Sequence, residues 1–183
     1  MTDAVTILRG DEAPEALRAV EDLRVRAWAP ILGPDTARQR FGLDQHDRSS
    51  LHCVVHDRGS DDLVAAGRVT VCADASALPE ETSFAPYVEE MRLPIGVAGR
   101  LVVDPGRQGE GLAERIIVSR LSLARELGLA QVWSETRREQ AHGFVRHGYR
   151  LVGPSPDRSV IGSWQILVAD LSPGGDHRPV DND

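Results

Sequence analysis

Two spacings of apolar residues alternate along the chain and mark out its elements. A first strand is expected over 4–9 (AVTILR), closed by the turn residues Gly10 and Asp11. From Glu12 to Trp28 the spacing becomes helical, with Leu17, Val20, Leu23, Ala27 and Trp28 on one side; Pro14 fits the first turn, and Pro30 and Pro34 are expected to end the helix. A second, short helix is expected over Asp35–Phe41, capped by Asp35, before the polar stretch FGLDQHDRSS. LHCVVHD (51–57) reads as a strand with Leu51, Cys53 and Val55 on one face, turning near Gly59–Asp62 into a return strand over 63–71.

Residues 73–96, with three prolines and scattered apolar side chains, read as a long ordered loop with one helical turn near Tyr87–Met91. The apolar run from Arg100 to Val103 is a buried strand that Pro105 stops, since proline cannot donate to a sheet ladder. Ala113, Ile116, Ile117, Leu121, Ala124 and Leu127 then form a wide helical stripe, with Gly128 placed to cap its end. A strand over 130–136, a short helix over Arg138–His147, a strand from 149 to 153, a turn-rich loop (PSPDRS) and a last strand over 160–171 complete the order β-α-α-β-β-β-α-β-α-β-β. The apolar-poor tail, 172–183, is expected to be disordered beyond a single domain over 1–171.

The 183 residues suit one domain with a proper core, and 41% hydrophobic and 27% charged content is ordinary for a globular chain. A formal charge of −7 argues against nucleic-acid or anionic-membrane partners, which call for basic patches. No apolar run reaches membrane-spanning length, and MTDAVTILRGDEAPE carries no signal-peptide core, so a cytoplasmic location is the expectation. The hairpin centred at Gly59–Asp62 opposes Cys53 to residues near 67–69. Cys72 is then out of register, and two reduced thiols are expected, with no metal-site spacing around them.

Candidate chemistry centres on the loop after Val103. Gln108, Gly109, Glu110, Gly111, Leu112 and Ala113 set a Q-x-x-G-x-A spacing where a strand feeds a helix, and such a helix N-terminus, with its free amides and positive dipole end, is an anion site. The loop matches neither G-x-G-x-x-G nor G-x-x-x-x-G-K-[ST], so dinucleotide and P-loop readings find no support. It resembles the acyl-CoA loop of the GCN5-related N-acetyltransferases, the GNAT family, in Val103-Asp104-Pro105, Arg107 and Gln108 to Ala113. The resemblance implies an α/β fold with a central mixed, mostly antiparallel sheet flanked by helices. It also implies that amides from 108 to 113 hold the CoA pyrophosphate, and that the strand at Leu101, Val102 and Val103 pairs with the pantetheine arm and polarises the thioester. HGFVRHGYRLVG resembles the family's ending, but Phe144 stands where most members carry the tyrosine thought to protonate the departing thiolate. Phe144 is expected beside the CoA sulfur without donating a proton.

A second resemblance lies in the N-terminal half. Arg24, Trp28, Asp44, Asp47, His52, Arg68, the proline-broken insert and Arg100 together resemble the acyl-homoserine-lactone synthases, which share the GNAT fold and use S-adenosylmethionine with an acyl-carrier-protein donor. Their acidic residue three positions before the strand arginine is Val97 here. The resemblance implies a GNAT with a synthase-like pocket in which Arg24, Trp28, Asp44, Asp47, Arg68 and Arg100 bind substrate; a buried ionic network ordering 42–50 is the alternative.

Acylation by direct attack needs a base for the amine. Glu135, near the end of its strand, is the first candidate, followed by His52 and His142, because imidazole titrates near neutrality. His147 is expected on the last carbonyls of its helix, and Trp133 and Trp164 in the core. The activity so implied is N-acylation of a primary amine on a small molecule from acetyl-CoA or another acyl-CoA, without a metal. The acidic net charge points to a cationic acceptor, and a homodimer is left open. A synthase taking a longer chain from a carrier protein and a catalytically silent acyl-CoA sensor are the alternatives.

Overall fold

In the computed structural model, the structure describes residues 4–79, 81–156 and 162–171. The expected tail at 172–183, residues 157–159 of the PSPDRS loop and the first two residues of the 160–171 strand lie outside them. Among the described residues seven strands form one sheet in the order β1-β2-β3-β4-β5-β7-β6: β1 (Val5–Arg9), β2 (Leu51–His56), β3 (Leu63–Cys72), β4 (Ile95–Val103), β5 (Gln131–Arg137), β6 (Arg150–Pro154) and β7 (Trp164–Asp170). All neighbours are antiparallel except β4 and β5, which run parallel because the helix α4 (Leu112–Glu126) carries the chain back over the sheet.

Alternation along the strands divides the core between the two faces. Val54, Ala66 and Val102 pack under α1 (Pro14–Leu32), through Val20 and Leu23, on one face. Leu78 and Phe84 from the segment after β3 extend that layer over Ile95, Val97, Trp133 and Ile166. On the other face, Cys53, Val55, Ala65 and Val69 meet Leu112, Ile116 and Leu123 of α4. Ala98, Val132 and Leu167 meet Ile117, Leu121 and Phe144, the last from α5 (Ala141–Val145).

Several expectations change. Helix α1 runs through Pro30 to Leu32, because Gly33, at φ 80°, makes the break and donates its amide to Ala29 O at 2.9 Å. Helix α2 (Pro34–Phe41) starts on Gly33 with Pro34 in its first turn, so Asp35 is not its cap. The segment after β3 is more helical than expected, holding a 3₁₀ turn at Ala75–Ala77, the short α3 (Glu81–Phe84) and a 3₁₀ stretch at Ala85–Glu90, and β4 begins as early as Ile95. The short helix before β6 is a 3₁₀ turn at Arg138–Gln140 followed by α5 alone. In α4 the buried stripe is centred differently: Leu127 is 44% exposed while Arg120 is fully buried. Cys53 lies opposite Gly67 and Cys72 opposite Ile95, and both are free buried thiols. Among the described residues no helix is long and apolar enough to cross a membrane.

Candidate functional site

The site is made by two strands that part. The parallel ladder of β4 and β5 ends at the pair Ala98–Ser134, where the Ser134 hydroxyl donates to Ala98 O at 2.7 Å. Beyond that pair β4 bulges: Gly99 faces Arg68 and Val102 faces Ala66, so Arg100 and Leu101 together oppose Gly67. Arg100 sits at φ 55°, a left-handed conformation rare for a side chain of this size. The extra residue throws the Arg100 side chain to the α1–α2 face, where it donates to Arg40 O and Asp44 Oδ2 at 2.8 and 2.9 Å. After the bulge, Asp104 N–H donates to Val64 O at 2.8 Å. By the two-residue alternation of a ladder, the amide of Val102 then turns to β3 and that of Val103 to the open side. Of these two amides, Val103's is the one that faces the cleft.

One end of the opening is a cleft of about 600 Å³ between the 107–113 loop, Leu101–Val103, Ala27–Trp28 and α5. Gly109 and Gly111 stand at φ 86° and 77°, conformations that favour glycine, and an added Cβ at either would meet open space. The amides of the first turn of α4, from Leu112, have no carbonyl one turn back to bond and point along the positive end of the helix dipole. The loop therefore has the shape and polarity to cradle a phosphate. Arg107 is not a free cation: it bonds Glu110 at 2.8 Å and Asp57 at 2.5 Å, bracing the loop against the β2–β3 turn.

The other end is a cleft of about 470 Å³ on the α1–α2 face, with Arg24, Arg40, Phe41, Glu135 and Trp164 in its walls. Trp28, Leu101, Val102, Gln140 and Phe144 line both clefts, so the two meet at the parted strands. Phe144 is buried there, edge-on to Tyr149 with ring centres 5.3 Å apart.

Behind the second cleft, residues far apart in sequence close into one ionic network. Arg24 holds Asp47 through two bonds of 3.0 and 2.8 Å. Arg68 bonds Asp44 at 2.6 Å and Asp47 at 3.2 Å, while the Asp44 amide donates to Asp47 Oδ2 at 2.8 Å. Burial works against an Asp47 carboxylate, but the bonds from Arg24 and the charges of Arg24 and Arg68 outweigh it and hold its carboxyl far below the usual range. Asp44 is shifted the same way, again against burial, chiefly by Arg68. His52 is fully buried with its Nε2 2.9 Å from Asp47 O, and burial pushes its pKa down.

The candidates thus separate. Glu135 lines the second cleft, His142 lines the first, and His52 lines neither, since it sits behind the network; His52 is not placed to take a proton from an amine in the cleft. Arg24 and Arg100 reach the second cleft; Asp44, Asp47 and Arg68 stand behind them. Trp28 is no simple core residue: it stacks on Phe41 at 4.3 Å and 5° and has the Arg137 guanidinium 5.9 Å from its ring. Trp133 is core, but Trp164 is a wall residue of the second cleft. His147 reaches across to Glu114 at 3.0 Å. Phe41, Gln140 and Arg120 escaped the sequence reading. Arg120 had left a signal, because it falls four residues after Ile116 and four before Ala124, in the middle of the buried stripe of α4.

No protein-family model matches the chain, and no curated protein matches it in sequence. Solved structures do. The ribosomal-protein-S18-alanine N-acetyltransferase of Escherichia coli is 15% identical, covering 97% of this chain and 99% of its own, with a TM-score of 0.62. BjaI, a CoA-dependent acyl-homoserine lactone synthase solved with SAM and isopentyl-CoA, is 14% identical over 93% of this chain and 84% of its own, with a TM-score of 0.68. FeeM, an N-acyl amino acid synthase from uncultured soil microbes, is 14% identical over 93% and 92%, with a TM-score of 0.67.

Proposed function

We propose that this chain, which has the fold of the GCN5-related N-acetyltransferases and acyl-CoA-dependent synthases, transfers an acyl group from an acyl-CoA, acetyl-CoA first among them, to a primary amine of a small molecule. The observation that carries the reading is the meeting of two clefts where β4 and β5 part, with the glycine loop at one end and a carboxylate at the other. An acyl-CoA supplies an activated acyl carbon and a thiolate leaving group. The amides of 108–113 would hold its pyrophosphate, and the exposed edge of β4 its pantetheine arm. The Val103 N–H would polarise the acyl carbonyl, a role that asks nothing of the side chain. Glu135 would take the amine proton, directly or through a water.

The charge of the acceptor cleft runs against the net charge of the chain. Arg40 stands in its wall without an ion pair among the described residues, beside Glu135 and beside Arg24 and Arg100, whose charges Asp47 and Asp44 meet from behind. That lining favours acceptors carrying an anionic group beside the amine, as amino acids do, over the polyamines that a −7 chain alone would suggest. The test is an acceptor panel with acetyl-CoA, read by thiol release and mass spectrometry. Acylated amino acids are the expected product. Selective acylation of polyamines would reverse the acceptor assignment, and CoA binding without thiol release from any acceptor would leave a silent binding module.

A further inference from the structure

Position 144 offers a phenyl ring where a departing thiolate needs help, and beneath that ring lies a buried cation. Arg120 has no exposed surface. Its Nη1 donates to Gly99 O at 3.3 Å, and its guanidinium carbon stands 5.8 Å from the centre of the Phe144 ring. Among the described residues, Nε and Nη2 have no hydrogen-bond partner. Gly67 keeps room for it: a Cβ there would come within 2.5 Å of Ile116 Cγ2 and 3.5 Å of Arg120 Cδ.

Among the described residues no carboxylate is bonded to this charge. The titratable groups beside it are Cys53 from β2 and Tyr149 ahead of β6. Burial raises them to about 11 and about 12, so both stay neutral. Glu135 on β5 lines the same cleft, where Arg24 and Arg100 also stand, and His142 on α5 lines the adjoining one. Burial lowers the pKa of Arg120, yet a guanidinium does not lose its proton in a protein. A buried cation without a counter-ion is unfavourable in a resting fold and acts strongly on any negative charge that arrives nearby.

We propose that Arg120 supplies the positive charge that stabilises the departing CoA thiolate, in place of the proton donor that Phe144 does not provide. This rests on the acyltransferase reading above. The amine nitrogen bonds to the acyl carbon, the amine proton passes to Glu135, and the C–S bond breaks with its electron pair on sulfur. The sulfur takes no proton at that moment, so a full negative charge develops where the two clefts meet, beside Phe144. Arg120 answers it through a wall of low dielectric.

The same charge acts on free CoA, whose thiol becomes a thiolate by ionisation alone, so the test needs no acceptor. Calorimetric affinity and ultraviolet thiolate absorbance are followed against pH for CoA bound to the full chain, with desulfo-CoA as the control for the phosphates. A cysteine thiol titrates at about 8.5, and free CoA titrated alongside sets the reference for its own thiol. The wild-type chain should lower the bound thiol by at least one unit. CoA affinity relative to desulfo-CoA should then rise at least tenfold as pH increases through that window, because binding favours the deprotonated sulfur. Arg120→Met should abolish the rise, and Arg120→Lys should keep part of it. Should Arg120→Met not fold, the wild-type titration decides alone: a bound thiol that titrates like free CoA overturns the assignment, as does an unchanged rise in Arg120→Met. If CoA fails to bind the wild-type chain at all, the acyltransferase reading falls and this inference with it.

Discussion

At the scale of single residues, the network around Asp47 ties the fold to pH. Asp47 accepts from Arg24 and Arg68 with all three side chains buried, so Asp47→Asn leaves two arginines without their shared anion. Breaking such a pair from one side is expected to lower stability by about 3–5 kcal/mol, read as a drop in the urea midpoint at neutral pH. The pH dependence has a fixed sign. His52 has a depressed pKa, so its contribution is intact above its unfolded value of about 6.5 and is lost as pH falls. Asp44 and Asp47 are also depressed, and their contribution is intact above about 3.9 and lost on further acidification. Stability should therefore fall in two stages on the acid side. Replacing His52 with glutamine should remove the upper stage alone, and an upper stage that persists in that variant would contradict the assignment. For the reaction, Glu135→Gln should lower kcat/KM by about 10²–10⁴-fold and flatten the acid limb of its pH profile. Full activity with the parent's limb would place the base elsewhere.

At the scale of elements, the junction of β4 with α4 shapes one cleft and the bulge in β4 turns Arg100 toward the other. The loop owes its shape to Gly109 and Gly111 at positive φ, while the ion pairs of Arg107 with Asp57 and Glu110 fix it to the neighbouring hairpin. Gly111→Val puts a β-branched side chain into a left-handed conformation, and its added atoms fill the space in front of the amides. CoA affinity should fall more than tenfold, about 1.4 kcal/mol or more, by calorimetry. No described group beyond its chain neighbours lies within 4 Å of that Cβ, so any drop in the thermal midpoint should come from the strained backbone and not from a clash. Unchanged affinity would remove the loop from the site. The bulge at Arg100 does the converse work: one extra residue brings a strand arginine from β4 to the same carboxylate that Arg68 of β3 reaches.

At the scale of the molecule, the sheet is a wall with one gap. The two clefts meet at it and share Trp28, Leu101, Val102, Gln140 and Phe144. On the proposed reading each cleft takes one substrate, and the buried thiols of Cys53 and Cys72 line neither cleft. Initial rates with varied acetyl-CoA and acceptor should give intersecting lines, the pattern of a ternary complex. Parallel lines would mean that an acyl group rests on the protein between substrates, which the arrangement does not provide for.

Short-range physics made much of this protein legible from its sequence. A strand stopped by Pro105, two glycines before an amphipathic stripe and Gly128 at its end are local signals, and the strand, loop and helix α4 stand where they point. The hairpin register that separates Cys53 from Cys72 is likewise set by a turn and a period of two. The spacing of Arg24, Asp44, Asp47 and Arg68 was visible as a pattern, yet whether it formed a network, a binding site or both depended on which faces α1, β2 and β3 present to one another. Tertiary packing decided that, and it set His52 behind the network and out of reach of the cleft. It also decided the fate of Arg120: the stripe of α4 points it inward, but only the packing of the sheet against α4 leaves its guanidinium, among the described residues, with one carbonyl and one aromatic ring. Local spacing fixes what a segment becomes, because turns and periodicity act over a few residues. What surrounds a charge is fixed only when distant segments exclude water from it, and that sum is taken over the whole fold.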